Sequence, residues 1–390
     1  MMGNTFGRMF RITTCGESYA GAFRKTLDIP GELYGGLMVI IDGVPPGIKI
    51  TAELIQKELD KRRPGQSKLD TPRLEKDRVY IFSGVMENDL STGAPVGMII
   101  PNNDIEDDQI ERHRGYKDIL RPGQAAYTYY KKYGQYADWL GAGRASGRET
   151  AARVAGGAIA QAVLDAMGID VVGFVTELHG IKAGNITYEM AKENYRKNEL
   201  NCPDLQKAPE MIAEILKIKA EGDTCGGVIE VIARGVPAGL GEPVFDKLSA
   251  TIAHGIMSIG AVKGVEIGDG FGFAGMKGSE SNDNPYVDQA TGRVRFATNR
   301  AGGLLGGISN GEDIRVRVAV KPTPTISILQ KTVNIDKLED TTCQFKTRND
   351  PSICPRIYPV CEAMVRLAIL DAVFMAKGYR SVANSKWDEI

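Results

Sequence analysis

Apolar residues along the chain recur with two periods. In IRVRVAV, Ile314, Val316, Val318 and Val320 fall on one face and Arg315 and Arg317 on the other, the alternation of a half-solvated antiparallel strand. The stretches LMVIID, RVYIFSG, PVGMII and GVIEVIA read as similar short strands. Helical periodicity runs instead from Thr51 to Arg63, Arg148 to Met167, Pro209 to Glu221 and Val360 to Lys377. The second and fourth of these (AARVAGGAIAQAVLDAM and CEAMVRLAILDAVFMA) are rich in Ala and apolar on most faces, which predicts a buried helical layer. Gly168 and Gly378 follow them where a left-handed C-terminal cap favours glycine.

One pattern occurs twice. LMVIIDGVPPGIKI, leading into a helix, is echoed by VIEVIARGVPAGL, leading into PVFDKLSATIAHGIM. Two strand, GVPxG turn, helix units predict a pseudo-repeated α+β architecture, with a shared helical layer between two antiparallel sheets, and not a doubly wound fold. Chance recurrence of a short turn motif is the alternative. No linker rich in Pro, Ser or charge divides the chain, so a single intertwined domain over residues 1–390 is expected.

Composition narrows the function classes. Lys plus Arg number 48 against 49 Asp plus Glu, so no global charge draws the chain to nucleic acid or to a membrane surface. No run of about 18 apolar residues is present, which argues against a membrane span. The three histidines (His113, His179, His254) stand at no ligand-like spacing to one another or to a cysteine, so no metal is expected. Six cysteines lack a CxxC pair and the opening MMGNTFGRMFRITT lacks a long apolar core, both of which suit a reduced cytoplasm.

Candidate chemistry gathers in four segments rich in Gly and small polar residues: GNTFGRMFRITTCGES, GAGRASGRET, NRAGGLLGGISNG and VKPTPTI. GAGRASGRET precedes a long helix, so Arg144, Ser146 and backbone N–H groups there could meet an anion. Capping by Ser146, with Arg144 in a surface ion pair, explains the same residues. Lys61, Arg62, Arg63 and Lys68 in KRRPGQSK, together with Arg11, Arg121, Arg144 and Arg348, supply cations suited to carboxylate and phosphate oxygens. A solvated helix end is the competing account of KRRPGQSK.

Taken in order, the motifs GNTFGRMFRITTCGES, IDGVPPG, RRPG, FSGV, RPGQAAYTYYKKYG, GAGRASGRETAARVAGGAIA, RGVPAGLGEPVFDKL, AVKGVEIGDGF, AGGLLGGISNG, KPT and PVCEAM resemble the chorismate synthase family over nearly the whole chain. The resemblance implies a β-α-β sandwich, a homotetramer, and reduced FMN as cofactor. It implies 1,4-elimination of phosphate from 5-enolpyruvylshikimate 3-phosphate to give chorismate, the last step of the shikimate pathway. The source of the reduced flavin, NADPH included, stays open. Carried over by position, the FMN contacts fall on Arg144, Ala145, Ser146, Gly260, Ala261, Gly306, Lys321, Pro322, Thr323, Pro324, Thr325 and Arg348. Substrate contacts fall on Ser18, Arg62, Lys68 and Arg121, and the aspartate associated with proton relay falls on Asp350.

Departures concentrate where the family moves protons. GESHG is replaced by GESYA, with Tyr19 at the histidine and an insertion of roughly a dozen residues following. RPGHAD becomes RPGQAA, so Gln124 and Ala126 replace a histidine and an aspartate; RHDPC becomes RNDPS, with Asn349 and Ser352. Loss of one general acid slows a reaction on the order of 10²- to 10⁴-fold, and losses within a cooperating set do not add. Tyr19 can donate a hydrogen bond and Gln124 cannot titrate. His113, in ERHRGYKD, reads as a loop residue. Three readings follow: a working chorismate synthase in which Tyr19 or Tyr34, water and Asp350 manage the protons; a paralogue using reduced FMN on a related phosphorylated or carboxylated cyclohexene; or a non-catalytic flavin binder.

Overall fold

The computed structural model describes residues 3–19, 36–65, 67–70, 77–102, 107–345 and 350–383. Tyr34 and most of the insertion, and Arg348 with Asn349, lie outside the described residues.

Two five-stranded antiparallel sheets flank a layer of helices. The first sheet runs in the order Thr5–Phe6, Arg11–Cys15, Gly36–Asp42, Val96–Pro101, Tyr80–Ser83. The second runs Ile181–Lys182, Asp170–Leu178, Gly227–Arg234, Ile314–Val320, Val262–Ile267. In Ile314–Val320 the four aliphatic residues are buried, while Arg315 and Arg317 pair across the outer face with Glu230 and Glu266. Asp170–Leu178, which lacks a clean alternation, is buried along nearly its whole length; this is why the two-residue period did not reveal it.

Between the sheets lie the helices Ala52–Arg62, Thr150–Asp165, Leu248–Met257 and Cys354–Ala383. Small residues set their spacing. A Cβ on Gly157 would come within 2.4 Å of the Ala363 methyl, so this glycine is where the two longest helices touch. One apolar cluster joins the inner faces of both sheets through these helices. The GVPPG and GVPAG turns each join a strand to a helix of the central layer, as the internal echo predicts. Thr51 caps the first of those helices, its hydroxyl accepting from the Leu54 N–H at 3.1 Å.

Gly168 adopts the left-handed conformation (φ 70) expected after the second helix. Gly378 does not end the last one, which continues to Ala383. That helix also begins before Val360, at Cys354, with Pro359 inside its first turns. His113 is not a loop residue. It belongs to the helix Asp107–Gly115, whose sequence DDQIERHRG is acidic at the start and basic at the end, complementing the helix dipole.

Candidate active site

A cavity of about 600 Å³ opens between the helix Asp107–Gly115, the turn and helix of RPGQAAYTYYKKYG, the Gly-rich segment 140–145 and the side chains of Thr325 and Phe345. Ligand pockets of about 300–1,000 Å³ are typical for small molecules and cofactors. Tyr19, Arg121, Gln124, Ala145 and Thr325 line it.

Left-handed backbone shapes one wall. Gly141 (φ 62), Ala142 (φ 72) and Gly143 (φ 52) succeed one another. A Cβ on Gly141 would lie 2.4 Å from the Tyr19 ring, and one on Gly143 would lie 2.7 Å from the Asp138 carboxylate. These glycines therefore admit the side chains that face them. Tyr19 donates its hydroxyl to Gln109 Oε1 at 2.9 Å, and its ring meets His113 edge-on with centroids 5.3 Å apart.

The opposite wall is a turn clamped to KPTPT. Lys321 Nζ donates to the Gly123 carbonyl at 2.5 Å, and Gly123 packs on Pro324. Lys321 also donates its backbone N–H to the Ala261 carbonyl at 2.9 Å, which brings Ala261 alongside. Burial, and secondarily Lys263, lowers the Lys321 pKa. The Thr323 carbonyl accepts from Thr224 Oγ1 at 2.7 Å, whereas the Thr323 hydroxyl is buried and meets no partner among the described residues. Gln124 Oε1 accepts from the Ala126 N–H at 3.2 Å, steadying the start of the helix Ala126–Tyr133. Arg121 is half-buried and makes no side-chain ion pair among the described residues; burial alone lowers its pKa.

Other expected residues sit elsewhere. Arg144 does form an ion pair, 3.9 Å from Glu149, but a partly buried one, and it also donates to the Gly16 carbonyl at 2.9 Å and to Thr14 Oγ1 at 2.8 Å, clamping the end of the second strand of the first sheet. Ser146 Oγ accepts from the Arg148 N–H at 3.3 Å and so caps the turn entering Thr150–Asp165. The Ser18 carbonyl accepts from Asn102 Nδ2. Arg62 is only 4% exposed and is bound by Asp77, which also lies 3.1 Å from Arg148. Arg356 bridges this cluster to Asp350, donating to the Arg62 carbonyl at 2.9 Å and to Asp350 Oδ2 at 2.5 Å. Lys68 is exposed, its carbonyl taking the Lys219 ammonium at 2.7 Å. Side chains added at Gly260 or Gly306 would meet nothing within 4 Å.

Sequence reasoning set His113 aside as a loop residue and did not single out Asp138, Lys117, Asp118 or Asp336, all of which line the cavity wall. Burial pushes the Asp138 carboxyl above its ordinary value against the Leu140 N–H, with Glu17 adding to the rise. The dipole-matched charges of DDQIERHRG were the available signal for the helix that carries His113. Among the described residues no group of three or more His, Cys, Asp or Glu could hold a metal ion, and no helix is long and apolar enough to cross a membrane.

A family model for chorismate synthase matches residues 10–374. A chorismate synthase of Acetivibrio thermocellus is 73% identical, the alignment covering 100% of both chains. One of Methanococcoides burtonii is 48% identical over 95% of this chain and 96% of its own. A solved chorismate synthase structure superposes with a TM-score of 0.72 at 30% identity, covering 95% of this chain and 94% of that one. On these matches, and on two antiparallel sheets enclosing a helical layer, the chain belongs to the chorismate synthase family.

Proposed function

We propose that the cavity is where this chain, a lyase of the chorismate synthase family, eliminates phosphate from 5-enolpyruvylshikimate 3-phosphate with reduced FMN bound beside the substrate. The observation that carries the reading is Arg121. Among the described residues its half-buried guanidinium has no acid, an arrangement that is unfavourable until an anionic ligand supplies the counter-charge. In this reading Arg121 holds a substrate phosphate or carboxylate. Gln124 offers amide N–H groups without titrating.

The residues present fit a flavin phosphate and ring. The Thr323 hydroxyl is a buried donor with no acceptor among the described residues, Lys321 is a cation beside it in KPTPT, and the space in front of Gly260 and Gly306 is open. These, with Ala145, Ala261 and Thr325, would hold FMN; Arg144 would fix the segment that carries Ala145. When bound, the reduced flavin lends and recovers an electron during the elimination. Asp350, oriented by Arg356, stands as the candidate for relaying a proton, with Ser18, Lys68 and Arg348 as further expected contacts, while Arg62, bound by Asp77, would order their surroundings. A homotetramer in the cytoplasm, with NADPH as one candidate source of reducing equivalents, completes the reading.

The 73% identity to a chorismate synthase favours this elimination over a different cyclohexene substrate or a purely binding role. Complementation of a chorismate-auxotrophic strain, backed by an anaerobic assay with purified protein and reduced FMN, tests it. Growth and enzyme-dependent chorismate are expected; FMN binding without product would sink the catalytic reading.

A further inference from the structure

We infer that His113 is the acid that protonates the departing phosphate in this chain, in place of the family histidine whose position Tyr19 occupies. The inference rests on the elimination proposed above. It starts from an elimination among three histidines. His179 is on the surface, 2.9 Å from Glu214, and His254 packs against Phe6 with ring centroids 5.6 Å apart. Only His113 lines the cavity, and it does so with its ring against Tyr19 itself. The imidazole thus lies one ring away from the position where family members carry theirs, reached from a different element of the fold.

Its surroundings suit an acid that works beside phosphate. On its own helix the charges are largely paired: Arg112 with Asp108, and Arg114 with Glu111 at 2.9 Å. Across the cavity stand Arg121, Lys117 paired with Asp118 at 3.6 Å, Asp336 and Asp138. Tyr19 is directed by its hydrogen bond to Gln109, so its hydroxyl proton is already given to an amide oxygen. An imidazole is the side chain that changes charge between about pH 5 and 8, where neither Tyr nor Gln does.

The step balances without an outside reagent. As the ring C–O bond breaks, both its electrons leave on phosphate, and the imidazolium gives its proton to the departing oxygen. The proton lost from the ring carbon in the same net reaction restores the imidazolium through solvent. No net proton or electron is consumed.

The experiment compares wild type with His113→Asn, His113→Ala, Tyr19→Phe and Asp138→Asn under anaerobic conditions with reduced FMN. Both His113 variants should lose on the order of 10²- to 10⁴-fold in kcat, while FMN affinity and melting temperature stay near wild type. Wild-type kcat/KM should show a limb between about pH 5 and 8, and this limb should vanish in His113→Asn and persist in Tyr19→Phe and Asp138→Asn. Added imidazole should restore part of the His113→Ala activity, which a merely structural role would not allow. Activity of His113→Asn within a few-fold of wild type, or transfer of the lost limb to Tyr19→Phe or Asp138→Asn, overturns the assignment while leaving the elimination intact. A wild-type protein that makes no chorismate overturns both.

Discussion

Around Asp77 the protein buries positive charge together with its counter-charge, whereas at the cavity Arg121 is half-buried with no ion pair among the described residues. Arg62 and Arg148 converge on the Asp77 carboxylate, and Arg356 ties that cluster to Asp350. Burial by itself would raise the Asp77 pKa, but Arg62, Arg148, Arg356 and Arg63 outweigh it and hold the carboxyl below its ordinary value. At the cavity Arg121 has no acid paired to it among the described residues, and burial lowers its pKa. A cation already matched by the protein contributes to folding, while an unmatched one is held ready for a ligand. Arg62 and Arg121, alike as substrate-contact candidates in the sequence, are separated by this difference.

The largest expected effect breaks the first region. Asp77→Ala leaves Arg62 and Arg148 buried without their shared partner and should destabilise the fold by about 3–5 kcal/mol near neutral pH. Because the native carboxyl titrates below its unfolded value of about 3.9, the stabilisation is present above that value and is lost as pH falls through the native pKa. Denaturant titrations at pH 7 and under progressively acidic conditions should show the gap between wild type and variant narrowing. A variant as stable as wild type at pH 7 would show that water, not Asp77, satisfies these arginines.

Next comes the second region. Arg121→Ala should raise the substrate KM or Kd about 10- to 100-fold, the loss of a charge-assisted hydrogen bond of about 1.5–3 kcal/mol. Stability should hold or rise, because a half-buried charge with no ion pair among the described residues is removed. Isothermal titration and a thermal melt read the two quantities on the same sample. Unchanged affinity with a lowered melting temperature would place Arg121 with Arg62 as a structural cation and erase the contrast.

The contrast also explains what was legible in the sequence. Period-two and period-3.6 patterns located Ile314–Val320, Gly36–Asp42, Ala52–Arg62, Thr150–Asp165 and Ala208–Ala220, because each buries one face or is buried throughout. The cavity's own helices escaped that logic. Ala126–Tyr133 has no buried residue, and Asp107–Gly115 is polar throughout except Ile110, so neither carries an apolar stripe. Motif order pointed to Tyr19, Arg121, Gln124, Ala145 and Thr325, which the fold gathers around one cavity. What motif order could not supply was which arginine is already occupied, since Asp77 stands 15 residues from Arg62 with no motif linking them. Nor could it bring His113 to Tyr19, a meeting that depends on how a polar helix packs.

The smallest effect tests whether KPTPT faces the flavin. The Thr323 hydroxyl is buried without a partner among the described residues, and a neutral hydrogen bond gained on binding is worth about 0.5–1.5 kcal/mol. Thr323→Val keeps the shape and removes the hydroxyl. FMN affinity should weaken about 2- to 10-fold, read by flavin fluorescence, as the bound state loses that bond. The flavin-free protein should be as stable as wild type or slightly more so, since an unsatisfied polar atom has been removed from the interior. The two shifts run in opposite directions, so they cannot both arise from a general loosening of the loop. If stability rises while FMN binding is unchanged, the hydroxyl is a tolerated defect of the fold, and Arg121 is left as the group whose missing counter-charge among the described residues points to a ligand.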